Sequence, residues 1–192
     1  KKACEIQTKN MGIKSKIIPM SEENSDIKIV TDIGQLEFHD FLIKHQCKPE
    51  VLDVKFSKVN PSEGVIDSIR NSNVVIIGPS NPITSILPIL SLEGVREALK
   101  NTYVVAVSPI IGSDSVSGPA SKFMRALDID VSSVGVASLY QDFLDNIVID
   151  SKDKNLKSQL NQIVNKVTIT NTIMNNLGDK KNLAQIIIDS IP

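Results

Sequence analysis

Two stretches of this 192-residue sequence combine glycine, proline and serine and contain no lysine or arginine. The first, GPSNP at residues 78–82, follows the apolar run VVII, and the second, SPIIGSDSVSGPA at residues 108–120, follows VVAV. Gly78 lets the backbone approach a ligand closely, Ser80 and Asn81 offer neutral hydrogen-bonding groups, and Pro79 and Pro82 hold the turn in shape. Asn81 followed by Pro82 fits a helix N-cap and first helical residue, an arrangement that aims free N–H groups outward. In the second stretch Gly112 and Gly118 permit close approach, Pro109 and Pro119 stiffen the chain, and serines beginning with Ser108 supply donors. Strand-to-helix connectors have this composition for conformational reasons alone, so either stretch by itself is weak. Two of them at the carboxyl ends of neighbouring strands is the place where open parallel sheets bind ligands. With Ser85, these eleven residues are the candidate binding set. Neither stretch follows GxxxxGK[ST] or GxGxxG.

Other chemistry is poorly supported. Ser80, Ser85 and Ser108 are not in a GxSxG context, and the two histidines, His39 and His45, lie in a less regular opening segment, so a serine hydrolase is not indicated. The histidines lack metal-ligand spacing and read as surface or ordinary helix residues. Asp150 and Asp153 form a DxxD after a strand; such a pair caps the next helix more often than it holds a divalent ion. Cys4 and Cys47 are isolated, which fits free thiols in a reducing compartment rather than zinc or a disulfide scaffold.

The elements that must position the two loops form an α/β pattern. Strands are predicted at residues 51–59, 74–77, 103–107, 131–137, 147–150 and 167–170, and helices at 61–70, 93–100, 118–127, 139–146, 156–164 and 181–191. This alternation predicts a Rossmann-like, mostly parallel sheet with helices on both faces, in one domain over residues 1–192. Residues 1–50 are less regular, with an opening helix ending at Gly12, a strand at 27–31 and a helix at 36–44 carrying Phe38, Phe41 and Leu42 on one face. With 41% apolar and 22% charged residues the chain is long enough for a sizeable core. A net charge of -1 gives no basic face for nucleic acid, and no apolar run has the length of a membrane span. A cytoplasmic protein is expected.

In order and together, these motifs resemble the 2-phospho-L-lactate transferase (CofD-like) family. The resemblance is carried by IIGPSNPITSILPIL at residues 76–90, GVREAL at 94–99, VVAVSPIIG at 104–112, SGPASKFM at 117–124 and GVASLYQDFLDNIVID at 135–150. Weaker likenesses are IIPM at 17–20 and GQLEFHDFL at 34–42. The sequence departs from the family pattern at Ser113, Ser117 and Asn171. The resemblance implies transfer of a phospho-lactyl or related three-carbon acid phosphate group. The donor is a guanosine diphosphate compound, the acceptor is the ribityl hydroxyl of a deazaflavin, and GMP is released, as in coenzyme F420 biosynthesis. It also implies a homodimer. Because the loops hold no cation, Mg²⁺ is the expected neutralising partner, with Arg96, Lys122 and Arg125 the alternative sources of positive charge. A related branch of nucleotide-sugar-binding regulatory proteins is the competing reading, since it shares the stretch at 74–90. The family opens with a strand and a glycine-rich phosphate loop that this sequence does not show. The isolated chain is therefore expected to lack that central strand beside residues 74–77 and to be inactive.

Overall fold

The computed structural model describes residues 2–116 and 118–192. Helix α1, Lys2–Asn10, buries none of its side chains. Strands β1 (Ile27–Thr31), β2 (Gly34–Glu37) and β3 (Val51–Phe56) form an antiparallel sheet in the order β2-β1-β3. Then come α2 (Val65–Arg70), β4 (Val74–Ile77), a π-helical turn at Pro82–Ile86, α3 (Leu87–Leu90), α4 (Val95–Leu99) and β5 (Tyr103–Val107). A small hairpin of β6 (Ile110–Ile111) and β7 (Asp114–Ser115) leads to α5 (Ala120–Ala126), α6 (Ser133–Tyr140) and β8 (Asn146–Asp150). A 3₁₀ segment at Ser151–Leu156, α7 (Lys157–Leu160), β9 (Lys166–Thr170) and α8 (Leu177–Asp189) complete the order.

Among the described residues four strands make the parallel sheet, in the order β4-β5-β8-β9. Period-2 alternation divides their side chains between two cores. Val104 and Ala106 of β5 and Ile147 and Ile149 of β8 join a large cluster with Phe41, Ile83, Phe123 and Tyr140. Val105, Val107 and Val148 point the other way and are covered by Leu183 and Ile187 of α8. Helices therefore lie on both faces. The antiparallel sheet contributes Ile29, Val51 and Val54 to the large cluster. Among the described residues no helix is long and apolar enough to cross a membrane.

Several predicted elements are corrected. Residues 131–137, expected as a strand, start helix α6, because the Ser132 hydroxyl accepts from the N–H groups of Val134 and Gly135 and nucleates the turn. That helix ends at Tyr140, so the predicted helix at 139–146 is instead a connection whose Phe143 and Leu144 are buried. The helix expected at 36–44 divides into β2 and a π-helical turn at Asp40–Lys44. β3 pairs antiparallel with β1 rather than joining the parallel sheet. β4 is not fully buried: it pairs with β5 alone among the described residues and leaves Ile76 46% exposed, as an edge strand does. Beside it lies an apolar groove of about 430 Å³ that includes Ile18, Met20, Ile76 and Ile89.

Candidate functional site

Beyond the carboxyl ends of β4, β5 and β9 lies a cleft of about 490 Å³. Pro79, Ser80, Asn81, Thr84 and Ser85 form one wall, and Ser108, Pro109, Val116, Gly118, Pro119 and Ala120 a second. The third is Thr172, Ile173, Met174 and Asn175, with Phe38 and Leu42 at the margin. Eight of the eleven candidate residues thus line one cleft. Gly78 lies in the neighbouring apolar groove, and Pro82 is buried at the start of its turn. Gly112 sits at the β6–β7 hairpin with φ +65°, where its N–H donates to Asp153 instead of facing the cleft. Ser117, part of a motif that carried the resemblance, lies outside the described residues.

Asn81 is the N-cap its sequence predicted, but its carbonyl Oδ1 accepts from Ile83 N at 3.0 Å and Thr84 N at 3.2 Å. Those two N–H groups are satisfied within the turn, so donors toward a ligand come from the exposed Ser80 hydroxyl, from Ser85 and from the Asn81 amide nitrogen. Asn81→Ala is expected to lower stability by about 1 kcal/mol, as loss of an N-cap does, whatever it does to binding. A urea midpoint unchanged from the parent protein would count against the cap. The Ser108 hydroxyl is likewise committed: it donates to Ile110 O at 3.0 Å, accepts from Ile110 N at 3.2 Å, and meets the Ser133 hydroxyl at 3.0 Å. It braces the loop from inside.

No described side chain lining the cleft is ionisable. The three basic candidates are occupied elsewhere. Lys122 donates to the backbone carbonyls of Cys47, Lys48 and Pro49 at 2.6, 3.1 and 2.8 Å. Arg96 pairs with Asp142 at 2.5 Å and lies over the Phe143 ring. Arg125 reaches the Ser113 carbonyl at 3.5 Å. His39 and His45 do not line the cleft, and Cys4 and Cys47 are free. Asp150 and Asp153 are buried, and their oxygens accept hydrogen bonds from backbone N–H groups. Among the described residues no three His, Cys, Asp or Glu side chains gather as a metal would require.

The third wall was missed in the sequence. Thr-Ile-Met-Asn has no turn signature, yet it follows the strand predicted at 167–170, and the rule that located the other two loops applies to it equally.

The fold is that of an α/β protein with a cleft beyond the carboxyl ends of a parallel sheet, the place where open sheets of this kind bind ligands. A family model described as "2-phospho-L-lactate transferase CofD" matches residues 1–187, and the chain belongs to that family. It is 51% identical over 190 residues to the 2-phospho-L-lactate transferase of Methanothermobacter thermautotrophicus, covering 99% of this chain and 62% of that protein. It is 47% identical over 186 residues to the enzyme of the same name from Methanocaldococcus jannaschii, covering 93% and 59%. The chain thus spans about three fifths of the length of these curated relatives. Protein BH3568 from Bacillus halodurans, known from its crystal structure, shares the fold with a TM-score of 0.64 at 16% identity, over 95% of this chain and 65% of that one.

Proposed function

We infer that the protein transfers a phospho-lactyl, or related three-carbon acid phosphate, group from a guanosine diphosphate donor to the ribityl hydroxyl of a deazaflavin, releasing GMP. The observation that carries this reading is the convergence of GPSNP and the Ser108 loop on one cleft in a chain of this family. Transfer of a phosphate-linked group asks the protein mainly for in-line positioning and for stabilisation of developing charge. The serine and asparagine groups of the cleft suit the first task. The second needs a cation, and the described residues do not themselves form a magnesium site, so no step is derived through the ion. A need for Mg²⁺ remains part of the proposal, with the donor's phosphates, water and groups outside the cleft lining as its ligands. The family resemblance also supports a homodimer in the cytoplasm.

Calorimetric titration with GDP and with a uridine diphosphate sugar is the test. Binding of GDP at least ~10-fold tighter, a difference of about 1.4 kcal/mol, is expected. Preference for the uridine compound would transfer the chain to the regulatory reading. Any GMP released from donor and deazaflavin is expected to stop in excess chelator, and turnover that persists there would assign charge neutralisation to lysine or arginine.

A further inference from the structure

We propose that Asp150 and Asp153 are positioning residues, each fastening one wall of the cleft through a backbone N–H group. The proposal rests on the cleft being the nucleotide site. Both carboxylates are buried, with 3% and 4% of the residue exposed, and neither joins the ion pairs found among the described residues. Burying a carboxylate without a cation is costly unless hydrogen bonds hold it.

Asp150 ends β8, and its two oxygens do different work. One accepts from Lys152 N at 3.0 Å, the ordinary cap of the 3₁₀ segment that follows. The other reaches β9's exit, accepting from Thr172 N at 3.0 Å and from the Thr172 hydroxyl at 3.2 Å. Burial opposes ionisation, but the Thr172 and Lys152 N–H groups and the Thr172 hydroxyl outweigh it, leaving the carboxyl below its ordinary value. Capping alone needs only the first oxygen. Of the hydrogen bonds described in the turn at 172–175, those to Asp150 are the ones that reach another part of the fold. The rest are local: Ile173 N to Asn171 and Asn175 N to Asp179.

Asp153 does the same for the other wall. Its oxygens accept from Gly112 N at 2.9 and 3.1 Å, 41 residues away, at the hairpin whose continuation brings Val116 and Gly118 to the cleft. The DxxD, favoured from sequence as a helix cap over a metal pair, does cap through Asp150, and both carboxylates also reach across to a wall. A wall held before the ligand arrives avoids the ordering cost of binding.

The test uses residues 1–192 with Asp150→Ala, Asp153→Ala and Thr172→Val, read by amide hydrogen exchange, urea unfolding and GDP calorimetry. Asp150→Ala is expected to speed exchange at residues 172–175 by at least ~10-fold, leave the β5 amides protected, and weaken GDP about 10-fold, as loss of a hydrogen bond to a charged group does. Asp153→Ala is expected to do this at Gly112. Thr172→Val, which keeps the N–H bond and loses only the hydroxyl, gives a smaller change in the same place and serves if Asp150→Ala does not fold. Unchanged exchange at both walls overturns the proposal. So does a rise spread evenly through β5 and β8, which is what a purely structural role produces, or full GDP affinity with the walls loosened. A parent chain that binds no GDP refutes the nucleotide reading, and local exchange alone then decides whether the two carboxylates anchor the walls.

Discussion

Gly135→Ala is expected to destabilise the protein by more than about 3 kcal/mol, near the top of the range for a single substitution. Helix propensity argues the opposite, since alanine is favoured over glycine inside a helix by about 1 kcal/mol. Sterics decide the sign. A Cβ at this position in α6 would lie 1.9 Å from the backbone oxygen of Asp130 and 2.8 Å from its carbonyl carbon. The obstacle is main chain, pinned by the Ser132 N–H donating to the Asp130 carbonyl and by the Ser132 hydroxyl donating to the Asp130 carboxylate. Relief would require α6 to move off a core in which Val136, Ala137 and Tyr140 are almost fully buried. Gly78, which has nothing within 4 Å of its missing Cβ, is the control: Gly78→Ala is expected to stay within about 0.5 kcal/mol of the parent, as substitutions away from packed features do. Equal urea midpoints for the two variants would show that the 130–132 turn yields freely.

The second large effect concerns charge at the mouth of the GPSNP loop. Ser80 is exposed at the cleft, and no ionisable side chain among the described residues lines that cleft. A diphosphate placed there meets neutral donors only. Two unit charges 4 Å apart interact by roughly 4 kcal/mol at an effective dielectric of 20 and about 1 kcal/mol in water. Ser80→Asp is therefore expected to weaken GDP by about 100-fold at low salt, an intermediate 2.7 kcal/mol. Ser80→Lys should tighten it, and Ser80→Ala should cost only a single hydrogen bond. All three changes should shrink as salt is raised, because exposed charges are screened. Calorimetry across the series checks the order. Equal affinities for the aspartate and lysine variants would place the phosphates away from Ser80 and remove the GPSNP loop from the site.

The parallel strands were legible because their residues face two cores at once: VVAV and NIVID carry side chains for both faces and so read as unbroken apolar runs. β4 was found for the same reason, but its open edge was expected only from the family resemblance, since edge position is a property of pairing and VVII looks alike at either place. Residues 131–137 misled because Val131, Val134 and Val136 suggested a strand, while the deciding signal was one hydroxyl at Ser132 acting as a cap. Phe38 and Leu42 were marked as an apolar helix face; they pack against the core and also reach the cleft, through a strand end and a π-helical turn that no 3.6-residue period describes. At the site, the two loops stood out by their turn residues. The anchoring of those loops did not, because Asp150 and Thr172 are 22 residues apart and only the pairing of β8 with β9 brings them together.

The strands of the parallel sheet are laid down in the order in which they are synthesised. The cleft is accordingly assembled over time from one side. At about 5–20 residues per second, roughly 5–20 s separate the emergence of Pro82 from that of Thr172. Once Ala120 has followed, a nascent chain has the GPSNP wall and the Ser108 wall but no opposing turn. The inner face of the sheet is also bare then, because Val105, Val107 and Val148 wait for Leu183 and Ile187. The third wall of the cleft and the closure of the second core thus arrive together, within the translation of some fifteen residues from Thr172 to Ile187, and a ribosome stalled before that point holds a chain with neither.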